Sequence, residues 1–172
     1  NFSTSISLRP IPSSPKSVKS TSSSFNSINT TWSAVPGANG YEFYSSKSSN
    51  SSYTLIGSTT ARSHNNKGLI TNSTNYYKIR AYRMSGKLKV YSGFSTVASS
   101  KPIPSIPTSV KAALSSRNSI KVSWIGVNGA NKYEVYRATS SKGTYNLLST
   151  TSLKSFNNIA LSKNSTYYYR VR

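Results

Sequence analysis

Apolar and polar residues alternate in short runs along this chain. Ile28, Thr30 and Trp32 are spaced by two, as are Ile120, Val122 and Trp124. Tyr41 and Phe43 repeat the spacing, and so do Tyr133 and Val135. Tyr77, Ile79 and Ala81 do so again, with Tyr169 and Val171 near the end. A period of two puts such side chains on one face of a strand. Ser, Asn and Gly clusters separate the runs, and these residues seed turns. No stretch sustains a helical period. The pattern predicts an all-β protein made of β-sandwiches.

The pattern occurs twice. Residues 1–80 align with 93–172 without a gap, and about half of the aligned positions are identical. Gly37-Ala-Asn returns as Gly129-Ala-Asn, and Tyr41-Glu-Phe-Tyr as Tyr133-Glu-Val-Tyr. Asn75–Arg80 returns as Tyr167–Arg172. Six of the seven prolines fall in two clusters, Pro10–Pro15 and Pro102–Pro107, where they favour a stiff extended path. This predicts a last strand of a preceding or neighbouring repeat at 1–8 and a Pro-rich linker at 9–16. Module one follows at 17–100, a second linker at 101–107, and module two, without its own last strand, at 108–172. Stiff linkers predict a rod-like array.

Several positions carry a family likeness. These are Trp32 and Trp124, the Gly-Ala-Asn turn, the Tyr-Glu-x-Tyr strand, and Leu161 six residues before Tyr167. The Tyr77-x-Ile-x-Ala strand and the Tyr91-Ser-Gly-Phe-Ser last strand complete the set. Together they resemble the fibronectin type III domain, in the form found in tandem on bacterial secreted and cell-wall proteins. The resemblance implies two tandem immunoglobulin-like β-sandwiches joined by a short Pro-rich linker. It says little about function. The implied core is Trp32, Tyr41, Phe43, Leu69, Tyr77 and Ile79 in module one. In module two it is Trp124, Tyr133, Val135, Leu161, Tyr167, Tyr169 and Val171. Two departures stand out. The family's corner tyrosine, Tyr167 in module two, is Asn75 in module one, which implies a looser corner there unless Tyr76 takes its place. The family's Asp before the Leu is missing, and Asn65, Asn66, Asn157 and Asn158 occupy that region.

Charge changes the picture. The chain has 22 Lys and Arg, no Asp, and only Glu42 and Glu134, for a net charge of +20. Such a surface attracts polyanions, whether wall polymer, acidic glycan, lipid headgroup or nucleic acid. It also keeps a stalk solvated and apart from its neighbours. There is no cysteine, so no disulfide or thiolate ligand exists. The longest apolar runs are too short to span a membrane.

Chemistry is poorly provided for. General acid–base work needs a histidine or a carboxylate pair. Here His64 is the sole histidine and the two Glu lie in different repeats. His64 aligns with Phe156, which marks it as a packing or loop position. No positioned base serves a nucleophilic Ser, and no phosphate-binding Gly loop is present. No enzyme activity, catalytic residue, metal site or cofactor is expected. The sequons at Asn29, Asn50, Asn72 and Asn164 are common by chance in a chain this rich in Asn, Ser and Thr.

The best candidate for binding is an outward strip of tyrosines and cations. It comprises Tyr44, Tyr76, Lys78, Arg80 and Tyr82, with Tyr136, Tyr168, Arg170 and Arg172 in the second repeat. Flat rings beside cations suit sugars or stacked bases. Glu42 is expected on this surface beside Lys78 and Arg80, and Glu134 beside Arg170 and Arg172, as weak surface pairs.

These readings predict a non-catalytic structural repeat, a spacer or stalk of a secreted or cell-surface protein of bacterial type. Its partners would be neighbouring repeats and, weakly, anionic wall polymer or glycan. A second expectation is a filament subunit. There Asn1, Phe2, Ser3, Thr4, Ser5, Ile6, Ser7 and Leu8 of one copy complete module two of the next by strand exchange. A third is a carbohydrate or nucleic-acid binder acting through the Tyr and basic strip. Nucleic acid ranks last, because no recognised module for it is present.

Overall fold

The computed structural model describes residues 10–172, which divide into two compact units between Ile103 and Pro104. The strand-exchange segment Asn1–Leu8 lies outside the described residues.

Unit one packs two antiparallel sheets. The first joins β1 (Lys19–Ser24), β2 (Ser27–Thr31) and β5 (Ser63–Asn66), with β2 in the centre. The second runs β4 (Thr54–Thr59), β3 (Gly40–Ser46), β6 (Asn75–Ser85) and β7 (Leu88–Tyr91), and β8 (Ala98–Ser100) also pairs with β6. The alternation seen in the sequence becomes the core. Ile28 and Thr30 on β2 and Phe43, Tyr77 and Ile79 on the facing sheet are fully buried, with Trp32 and Tyr41 nearly so. Burying one such large side chain contributes about 1.5–3 kcal/mol. Phe43 is at the centre, stacked on Trp32 at 6.0 Å and on Tyr77 at 5.1 Å. Leu69, expected in the core, is partly buried and packs against its margin.

The expected last strand, Tyr91–Ser95, is broken. Regular pairing stops after Tyr91 and resumes at Ala98. Between them Ser92 and Ser95 are buried, and their hydroxyls accept the N–H groups of Ala81 and Ile79 at 2.8 and 3.1 Å. Their own N–H groups donate to the carbonyls of the same two residues. Serine side chains thus take over the acceptor role that strand carbonyls play elsewhere, and β6 stays satisfied along its buried stretch.

The proline clusters are not free chain. Pro12, Pro15 and Pro102 are buried. Asn72 N–H donates to Pro102 O, and Ile103 N–H to Ser22 Oγ.

Unit two repeats the plan. One sheet joins β9 (Thr108–Ser116), β10 (Ser119–Ile125) and β13 (Ser155–Asn158), with β10 central. The other joins β12 (Asn146–Thr151), β11 (Tyr133–Ala138) and β14 (Tyr168–Val171), with β11 central. Val122, Trp124, Tyr133 and Val135 form its buried core. Leu161 is buried, whereas Tyr167, Tyr169 and Val171 are half-buried rather than fully enclosed.

The backbone repeats as closely as the side chains. All the positive-φ residues but Gly86 occur in pairs one repeat apart: Ser17 and Ser109, Gly37 and Gly129, Gly68 and Ala160, Asn72 and Asn164. The corner differs. Tyr167 accepts the N–H of Ser162 at 3.1 Å, closing the corner of unit two. In unit one Asn75 itself does the work rather than Tyr76. It is 2% exposed, donates to Ser73 O, and accepts Lys47 Nζ at 2.7 Å. Two of the asparagines are engaged. Asn66 and Asn158 donate their amides to the Tyr77 and Tyr169 hydroxyls, at 3.3 and 2.9 Å.

Candidate functional site: the tyrosine and cation face

The face is built on β3 and β6, whose register opposes Glu42 to Arg80, Tyr44 to Lys78 and Ser46 to Tyr76. Odd-numbered partners point to the core and even-numbered ones away from it. The even-numbered side chains do not stand free. Glu42 is 4% exposed, so it is buried rather than a surface residue.

Four side chains close over its carboxylate. Arg80 donates Nε and Nη2 to Oε2 at 3.0 and 2.8 Å, and Tyr44 OH donates to the same oxygen at 2.8 Å. Tyr91 OH and Lys89 Nζ donate to Oε1 at 2.9 and 3.1 Å. Burial opposes the charge, yet Arg80, Tyr44, Tyr91 and Lys89 together hold the pKa at about 2, against the usual 4.5. Burial, and then the same carboxylate, push the Tyr44 hydroxyl pKa upward.

Lys78 is not at Glu42. Its ammonium lies between the rings of Tyr53 and Phe94, 4.3 and 4.2 Å from their centroids. The second cation at Glu42 is Lys89, from β7. Arg80 also stacks on Tyr91 at 3.7 Å, and Lys89 covers Tyr82 at 4.3 Å. Tyr82 lies flat over Gly40, where a Cβ would come within 2.5 Å of its hydroxyl. The face is therefore a closed layer of alternating rings and cations around one buried carboxylate.

Unit two carries the same motif in simpler form. Tyr136 OH and Arg172 Nε donate to Glu134 Oε2, each at 2.6 Å. These bonds, Tyr136 first, lower the Glu134 pKa. Arg172 also lies 5.2 Å over Tyr136. Arg170, expected beside Glu134, instead faces Tyr136 across the strands and stacks on Tyr145 at 4.0 Å. Tyr168 is half-buried opposite Ala138.

Sequence reasoning missed Tyr53 and Tyr145, Phe94, and the β7 pair Lys89 and Tyr91. One signal was available, since Tyr53 and Tyr145 recur at the repeat spacing. His64 packs at a tilt against Phe43, with ring centroids 4.5 Å apart, and burial pushes its pKa down. No group of His, Cys or carboxylate side chains that could hold a metal exists among the described residues.

The strand order and the doubled sandwich have a clear counterpart. A two-domain fibronectin type III segment from chicken tenascin superposes with a TM-score of 0.54 at 19% identity, over 91% of this chain and 89% of that one. The fold is that of two tandem fibronectin type III domains. An Fn3-like protein from Clostridium thermocellum matches with a TM-score of 0.46 at 30% identity, over 52% of this chain and 92% of its own. The chicken CNTN1 FN1-FN3 domains match with a TM-score of 0.47 at 18% identity, over 94% of this chain, which spans 62% of that segment. No family model and no curated protein sequence matches the chain.

Proposed function

We propose that these fibronectin type III modules are a spacer of a bacterial-type cell-surface or secreted protein, held by charge against an anionic wall polymer. One observation carries the reading: both carboxylates are spent inside their own modules, on Arg80 and Lys89 and on Arg172. The remaining cations have no acidic side chain to neutralise them, so the +20 chain meets its counter-charge in its surroundings. The ring-and-cation layer supports a structural role for the tyrosine face. Several of its rings already have cations of the same module over them, which leaves less open surface for sugars or bases. The test is retention on purified wall polymer across a salt series. The reading requires binding whose logarithm falls steeply with the logarithm of salt concentration. No binding at low salt, or binding that ignores salt, would reject it.

A further inference from the structure

The two units differ most along one sheet edge. In unit one the backbone groups of Tyr77, Ile79 and Ala81 on β6 point away from β3. Ser92 and Ser95 meet those of Ala81 and Ile79, and β8 pairs with Tyr77. In unit two Glu134 and Arg172 exchange backbone hydrogen bonds between β11 and the end of β14. By the same alternation the N–H and C=O of Tyr169 and Val171 point away from β11, on a strand at the edge of its sheet. Tyr77 and Ile79 are fully buried, whereas their counterparts Tyr169 and Val171 are half-buried.

The facing wall differs to match. β1 turns Ser20 and Ser22 inward, alongside the buried Thr30 and Ile28, and β8 lies beside it. The same row on β9 is Val110, Ala112 and Leu114, more apolar than its counterpart, yet all three are exposed. Leu114 faces the core side and is still 83% exposed. On the outer face Lys78 lies between the rings of Tyr53 and Phe94. Arg170 lies over Tyr145 and has no second ring among the described residues.

One segment of the chain carries what this edge lacks. Asn1–Leu8 aligns with Gly93–Ser100, and Phe2-Ser3-Thr4 repeats Phe94-Ser95-Thr96. Ala98 and Ser100 pair with Tyr77 and Asn75 and share their inward face. At those two positions Asn1–Leu8 has Ile6 and Leu8. Larger apolar residues thus fall on the side that faces Leu114, where unit one has Ser22.

We propose that β14 is a docking edge for Asn1–Leu8 of a second copy, which adds as a strand and joins copies head to tail. Phe2 supplies the second ring over Arg170, and the Ser3 hydroxyl accepts the Val171 N–H. Ile6 lies beside Tyr169, and Ile6 and Leu8 cover the row from Val110 to Leu114. The inference goes beyond the spacer reading and does not depend on a polyanion.

The experiment follows the full chain by sedimentation over a range of protein concentrations, at low and at high salt. The unchanged chain should form oligomers that grow with concentration. Salt should strengthen them, because it screens the repulsion between +20 chains. I6S/L8S disables the donor, L114R blocks the acceptor, and I70S alters an exposed apolar residue of unit one that belongs to neither. Circular dichroism checks that all three fold. I6S/L8S and L114R should each weaken association on the order of a hundredfold, and I70S should not. A mixture of I6S/L8S with L114R restores one competent joint per pair, so it should give dimers and nothing larger. A monomer at every concentration would overturn the proposal, as would equal losses in I70S. A monomer whose Tyr169 and Val171 amides resist exchange, but not in I6S/L8S, would place the chain's own segment on β14 and overturn the second copy.

Discussion

Arg80 places two nitrogens on one oxygen of Glu42, at 3.0 and 2.8 Å, beneath a ring of Tyr44 and Tyr91. The contact ties the middle of β6 to β3, and Lys89 and Tyr91 extend it to β7. An ion pair enclosed in this way differs from an exposed one, because removing one partner strands the rest.

Glu42→Ala should therefore destabilise unit one by about 2–3 kcal/mol, since Arg80 and Lys89 keep partial access to water and repel each other. Lys89→Ala, at the exposed rim, should cost far less. Urea unfolding of the two variants would check the difference. Equal effects would mean that Glu42 behaves as a surface residue.

Acid should act through the same carboxylate. Glu42 has a lower pKa folded than unfolded, so its contribution is complete above about pH 4.5 and is lost as pH falls toward 2. Stability measured from pH 6 to pH 2 should drop in that window, and Glu42→Gln should flatten the drop.

His64 should act at milder pH. Burial lowers its pKa, so the unfolded chain takes up the proton first. Stability of unit one should then decline as pH falls below the ordinary value of 6.5. His64→Phe installs the residue found at the equivalent position, Phe156, and should remove this decline. A thermal melt series between pH 7.5 and 5 would show it.

Ala160 has φ 56°, where unit one has Gly68 at 73°. An L-residue with a Cβ is strained there. Ala160→Gly should stabilise unit two by about 1 kcal/mol, and Gly68→Ala should destabilise unit one by about the same amount. Opposite signs in calorimetry are the expected result.

Ser95→Ala should leave the Ile79 N–H without its hydroxyl acceptor inside the sandwich. The expected cost is about 1–3 kcal/mol. Amide hydrogen exchange at Ile79 should speed up well before the whole module unfolds.

The fold was legible because a period of two and a doubled pattern are local signals. Ile28, Trp32, Phe43 and Tyr77 each announce a strand face within a few residues. The candidate face was legible only in part. Strand alternation aimed Glu42 away from the core, but could not reveal that Lys89 and Tyr91, almost fifty residues later, would cover it. It also could not assign Lys78 to Tyr53 and Phe94, because long side chains choose among several neighbours within reach. The break after Tyr91 was hidden for another reason. A serine that hydrogen-bonds to the neighbouring backbone looks, in sequence, like any other serine.

That break has a bearing on crowding. Closely spaced sandwiches at a surface risk sticking edge to edge wherever a strand offers an unbroken row of donors and acceptors. Between Ser92 and Val97 the chain leaves regular extension, and its hydroxyls bond inward to β6 or to the adjoining Gly93 and Thr96 carbonyls. An incoming strand finds no regular ladder to extend there. That stretch of edge therefore gives aggregation no template.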